Sequence, residues 1–90
     1  MLEIKLSNRF KKDLRLAVKR GFNTDDLYKV VNIIASGQQL DRKYGDHLLI
    51  GNYSGFRECH VNPDYLLVYS IRNETVELYL FRLGTHSDLF

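Results

Sequence analysis

The chain is poor in the residues that build covalent frameworks and metal cages. Its single cysteine, Cys59, excludes an internal disulfide and any cysteine-based zinc cage. On a strand the expected role of such a residue is that of a small buried hydrophobe. There is one proline and no tryptophan, and no Pro/Ser-rich linker, repeat or low-complexity tract divides the chain. The net charge is only +2, too small to argue for a nucleic-acid partner by itself. No apolar run approaches the roughly 18–20 residues that span a bilayer. Met1-Leu2-Glu3-Ile4-Lys5 lacks the apolar stretch of a secretory signal, so cytoplasmic residence is the expectation. A Gly-rich phosphate loop, a Gly-x-Ser-x-Gly elbow and a dinucleotide fingerprint are also missing.

What is present fits one small globular domain over residues 1–90, with 44% hydrophobic residues. The charge is unevenly spread. Residues 1–20 hold seven Lys/Arg against Glu3 and Asp13, a net of +5, whereas the other 70 residues sum to −3. Lys11, Lys12 and Arg15 belong to this basic stretch, which suits phosphates or an acidic partner protein.

Hydrophobic periodicity orders the elements. Leu2, Ile4 and Leu6 alternate with Glu3 and Lys5, which predicts a strand. Ser7 or Asn8 then caps a helix whose apolar stripe is Phe10, Leu14, Ala17 and Val18, and Gly21 stops it. Asn23 or Thr24 opens a second helix, with Leu27, Val30, Val31 and Ile34 on one side and Ser36-Gly37 at its end. Residues 38–47 read as loop. Strands are expected over Leu48–Tyr53, Phe56–Val61, Tyr65–Arg72 and Thr75–Leu83, separated by short turn-rich gaps. The order β-α-α-β-β-β-β describes an α+β fold. Its sheet is an antiparallel meander with a two-helix hairpin covering one face. The other face is expected to stay open to a substrate.

Two stretches carry chemistry. In the first, Arg57-Glu58-Cys59-His60-Val61-Asn62-Pro63-Asp64-Tyr65-Leu66-Leu67-Val68-Tyr69, a strand, a tight turn and a second strand cluster His60, Asp64 and Tyr65 at one end. The second is the tail, Gly84-Thr85-His86-Ser87-Asp88-Leu89-Phe90. Chain ends normally fray, yet this one combines a turn, an imidazole and two apolar residues, as a docked tail does. His47 precedes a strand, His60 ends one and His86 follows one, so antiparallel neighbours can bring all three near Asp64. Imidazole suits proton transfer near neutral pH. Three His and an Asp can also bind zinc, but no short His-x-x-x-His spacing is present, and no metal or other cofactor is expected. Arg57 and Arg82 are strand cations able to bind phosphate from an open face. Tyr65 and Phe90 are rings able to stack on an unpaired base. Asp46 and Asp88 read as surface carboxylates.

These two stretches, with Tyr44-Gly45-Asp46-His47-Leu48-Leu49 upstream, resemble the YafQ-type toxins of the RelE/ParE superfamily over nearly the whole chain. The resemblance implies a microbial-ribonuclease-like fold and a metal-independent, ribosome-dependent mRNA endonuclease that leaves a 2′,3′-cyclic phosphate and a 5′-OH. It implies His47, His60, Asp64 and His86 as the catalytic set. His86 would be the general acid, and the base either His60 with Asp64, or His47. It further implies a cognate antitoxin, with operator DNA bound through the antitoxin. Two alternatives remain at this level: a ParE-like toxin that inhibits DNA gyrase, against which the three His argue, and an inactive antitoxin-binding member.

Overall fold

The computed structural model describes residues 1–90. The chain runs β1 (Glu3–Leu6), α1 (Asn8–Lys19), α2 (Thr24–Ala35), β2 (His47–Leu48), β3 (Arg57–His60), β4 (Leu66–Arg72), β5 (Glu77–Gly84) and α3 (His86–Leu89). The strands form one sheet in the order β1-β5-β4-β3-β2. β2 to β5 are the expected antiparallel meander. β1 departs from it: it pairs parallel to β5 and makes the sheet mixed. The helical pair between β1 and β2 sends the chain to the far edge, so the last strand of the meander comes back beside the first strand of the chain.

β5 extends beyond β1, and side chains take over its free edge. The Ser7 hydroxyl accepts from the Phe10 N–H, capping α1, and donates to the Phe81 carbonyl at 2.6 Å. The Leu83 N–H donates to Asp13 Oδ2 at 3.0 Å. One buried serine thus starts the helix and docks it on the sheet.

The main core lies between the helices and one sheet face. Phe10, Ala17, Leu27, Val30 and Ile34 pack on Cys59, Leu67, Tyr69, Leu78, Leu80 and Leu83. Val18 does not join them and is 50% exposed. At 3.6 residues per turn it is rotated about 80° from Phe10, onto the margin of the stripe. Cys59 is fully buried, and burial pushes its thiol up to about 12, so it packs as an unreactive hydrophobe.

Two strand expectations fail locally. The strand expected over Leu48–Tyr53 is reduced to His47–Leu48, followed by a 3-10 turn at Gly51–Tyr53. Gly51 adopts φ +69, a left-handed conformation that ends extended pairing. β5 starts at Glu77 rather than Thr75, because Val76 also sits at positive φ, +54. The expected loop over 38–47 contains a 3-10 turn at Arg42–Tyr44 and the first residue of β2.

The second sheet face is not bare. Leu66 and Val68 are buried there beneath Leu89, with Leu49, Phe56 and Phe81 packed against them. The tail and the 49–56 segment cover part of the surface expected to be open. No helix is long and apolar enough to cross a membrane.

Candidate active site

Strand register sorts the candidate residues by face. His47 lies opposite Glu58, and Glu58 opposite Val68. Two residues along, His60 lies opposite Leu66, which lies opposite Gly84. Cross-strand partners share a face, so His47, Glu58 and His60 stand together on the side away from the helices.

His47 and Glu58 form the tightest pair. His47 Nδ1 is 2.8 Å from the Gly45 carbonyl oxygen. A carbonyl only accepts, so Nδ1 carries the hydrogen and Nε2 is left as the exchanging nitrogen. Nε2 lies 3.5 Å from Glu58 Oε1. Glu58 is 7% exposed, and its Oε2 makes no hydrogen bond. A buried carboxylate with an unpartnered oxygen is costly to keep, and such groups concentrate where chemistry is done. Sequence reading passed over Glu58 because a lone strand Glu looks like a solvent residue. Its even spacing with Phe56 and His60 was the available signal.

His60 is exposed and lies along the approach to β2. A Cβ added at Gly45, which has φ +61, would stand 3.3 Å from His60 Cδ2. Gly45 therefore serves both the left-handed turn and the space beside the ring. Asp64 is exposed in the β3–β4 turn, where its N–H donates to Asn62 Oδ1. Its carboxylate forms no hydrogen bond or ion pair with any of the three imidazoles, so the expected His60–Asp64 pair is not made.

His86 opens α3. Thr85 caps this turn, accepting from the Asp88 N–H, while Asp88 Oδ2 accepts from the Thr85 N–H at 3.0 Å. Arg20 Nη1 reaches the same Asp88 oxygen at 2.8 Å. The Thr85 backbone hydrogen bond leads the interactions that hold the Asp88 carboxyl below its ordinary range. Leu89 is buried, whereas Phe90 is 53% exposed. The Phe90 ring lies 5.4 Å from the His86 ring and edge-on to Tyr53 at 5.7 Å. The tail is docked as expected, but Leu89 and the Arg20–Asp88 pair anchor it rather than Phe90. His60 and Gly84 are two strands apart, about 10 Å at usual strand spacing, and no hydrogen bond or ion pair joins His86 to His47, Glu58 or His60.

Three expected RNA contacts are placed elsewhere. Arg57 lies opposite Tyr69 on the helix-covered face, because strand residues alternate. There its Nη2 is 2.9 Å from Asp46 Oδ2, and the Tyr69 hydroxyl donates to Asp46 Oδ1. Asp46 is thus a half-buried structural hub rather than a surface carboxylate, whereas Asp88 is exposed as expected and also holds the tail. Tyr65 is 9% exposed, its ring 4.6 Å from that of Phe22, so it is a core residue and not a stacking platform. Arg82 is held by Asp13 through Nε at 2.7 Å and Nη2 at 3.2 Å, with its side chain 11% exposed. Lys11, Lys12 and Arg15 are exposed on α1, as expected. No three His, Cys, Asp or Glu side chains converge as a metal site.

Comparison with known proteins places the whole chain in one family. The family described as "Bacterial toxin of type II toxin-antitoxin system, YafQ" matches residues 2–90. The mRNA interferase toxin YafQ of Escherichia coli K12 is 35% identical over 89 residues, spanning 98% of this chain and 95% of that protein. The crystal structure of a metal-bound toxin from Helicobacter pylori superposes with a TM-score of 0.93 at 52% identity, covering 100% of both chains. A chain of the E. coli DinJ-YafQ toxin-antitoxin complex superposes with a TM-score of 0.87 at 33% identity, over 99% of this chain and 97% of that one. With the family matched end to end and the fold shared with solved members, the chain belongs to the YafQ family of type II toxin–antitoxin toxins.

Proposed function

We propose that this protein is an endoribonuclease that cleaves mRNA on the ribosome in the cytoplasm and is held inactive by a cognate antitoxin, whose complex binds operator DNA through the antitoxin. The observation that carries this reading is the His47–Glu58 pair, with its unpartnered carboxylate oxygen, facing the same side as the His86 tail. The names of the E. coli relative, an mRNA interferase, and of the DinJ-YafQ complex support it.

The base side takes the proton of the 2′-OH, and the 2′-oxygen bonds to phosphorus. The bond to the 5′-oxygen then breaks, and His86 supplies its proton, giving a 2′,3′-cyclic phosphate and a 5′-OH. Glu58 and His47 are the base side, with the proton passing between Nε2 and the carboxylate. His60, exposed beside them, is placed to hold the phosphate. Asp64, in the adjoining turn, contacts RNA rather than an imidazole. Both proton-transfer groups come from the protein, so the step runs without a resident metal. The exposed Lys11, Lys12 and Arg15 meet ribosomal RNA phosphates.

Primer extension on a translated mRNA tests the proposal. Induction of the wild type should give discrete cleavage sites, absent with His86→Ala and persisting with a transition-metal chelator at Mg²⁺ levels that keep ribosomes whole. Intact transcripts, or cleavage abolished by the chelator, would refute the corresponding part.

A further inference from the structure

Beyond the proposed proton-transfer groups, the same face carries a chain of neighbouring rings that the core beneath them covers only in part. From His86 the contact passes to Phe90, and from Phe90 to Tyr53. Tyr53 lies 6.4 Å from Phe81, which stacks on Phe56 at 4.6 Å and 23°. Phe81 and Phe56 both adjoin Tyr79, at 6.0 and 6.5 Å. The series ends where the Arg72 guanidinium lies 4.2 Å over the Tyr79 ring. Phe56 and Phe81 rest on the Leu66–Val68–Leu89 cluster, so the series is on the catalytic side of the sheet.

A core would have buried these rings. Tyr53, Phe56, Tyr79 and Phe81 are instead half-buried, Phe90 is mostly exposed and Arg72 is exposed. Phe56 and Phe81 are packed from below, and Tyr53 and Tyr79 lean on them through Phe81, while part of each ring faces solvent. A row of mutually packed, partly exposed rings leading away from the proposed acid–base site and ending in a cation matches one ligand chemistry. Unpaired bases stack on the rings, and a phosphate meets the guanidinium.

We infer that Tyr53, Phe56, Phe81 and Tyr79, with Arg72 at the far end, form a stacking track for the single-stranded mRNA flanking the scissile phosphate. This rests on the nuclease reading above and adds what holds the strand. Stacking reads ring faces rather than base edges, so the track favours unpaired RNA of any sequence over duplex.

The test uses a short single-stranded RNA with 2′-deoxyribose at every position able to cleave, titrated into the intact protein with ¹³C-labelled rings. The Tyr53, Phe56, Tyr79 and Phe81 signals should shift together and saturate. Tyr79→Leu and Tyr53→Leu keep apolar bulk and remove the ring. Each should weaken binding roughly 5- to 100-fold, while Tyr79→Phe binds like wild type. Shifts confined to α1, or Leu variants that bind as wild type, overturn the track. Rings that move with the antitoxin and not with RNA make it a protein-docking face, and equally overturn it. Cleavage of translated mRNA separates the two proposals. A wild type that does not cleave defeats the nuclease reading, whereas a wild type that cleaves while both Leu variants cleave equally well at subsaturating mRNA defeats only the track.

Discussion

At the scale of one residue, the proposed base side rests on Glu58, a buried carboxylate on the open face of the sheet. Its carboxylate has one neighbour, His47, and one oxygen with none. Glu58→Gln keeps the shape and removes the charge. Cleavage should fall by about 10²–10⁴-fold, the usual contribution of a lone acid–base group. The melting temperature should hold or rise, because a buried, half-partnered charge is gone. Primer-extension rates and thermal melts decide this, and a Gln variant with full activity would remove Glu58 from the base side. Val76 offers an independent prediction. A β-branched residue at φ +54 carries strain of about 1–2 kcal/mol that glycine does not. Val76→Gly should therefore stabilise the fold by about 1 kcal/mol after its entropy cost, raising the Tm by a few degrees. The side chain is 54% exposed, so little packing is lost. An unchanged or lower Tm refutes the strain. Neither feature was legible in the sequence: Glu58 reads as a solvent residue until strand register is known, and Val76 reads as strand until its φ is seen.

At the scale of elements, legibility followed local chemistry. Both long helices follow from their caps and stripes, with Ser7 and Asn23 accepting the expected backbone N–H groups. The meander follows from turn residues. Which partner each strand cation takes depends on contacts as remote as Arg82 with Asp13, and no local pattern reports those. The same holds for α3, a single turn that cannot persist alone and is held by Leu89, the Thr85–Asp88 box and Arg20. Arg20→Ala should loosen the tail slightly, because the pair is exposed, and Asp88→Asn more, because it also weakens the capping box; both should lower cleavage while leaving the sheet intact. Faster exchange of the 85–90 amides, with unchanged β4 and β5 protection, is the expected signature. The pH dependence has a definite sign. Folding depresses the Asp88 carboxyl below its ordinary 3.8, so its stabilisation is complete above that value and is lost as pH falls through the lower folded one. Tail protection should thus persist at neutral pH and fail only in acid. Protection that fails between pH 5 and 7 would assign the anchoring to another group.

The whole molecule divides its tasks between surfaces. One sheet face is sealed under the helices, the other carries the imidazoles, Glu58 and the rings, and the outward side of α1 carries exposed cations. The uneven charge of the chain already pointed to that basic side, because a helix with its apolar stripe on one flank must show its cations on the other. Asp13, the one acid among them, is turned inward to Arg82 and leaves Lys11, Lys12 and Arg15 without a carboxylate partner. If these three meet ribosomal phosphates, each contact releases counterions and the affinity falls steeply with salt. Reversing all three to Glu should weaken ribosome binding most at low salt, with a shallower salt slope than the wild type, so that the two converge as salt rises. Because α1 packs on β5 through Phe10 and Ala17 rather than through these side chains, folding should be unaffected. Ribosome co-sedimentation across a salt series reads the slope directly. Parallel slopes for the two proteins would make the basic face a solvated cover and leave the aromatic face to seat the toxin alone.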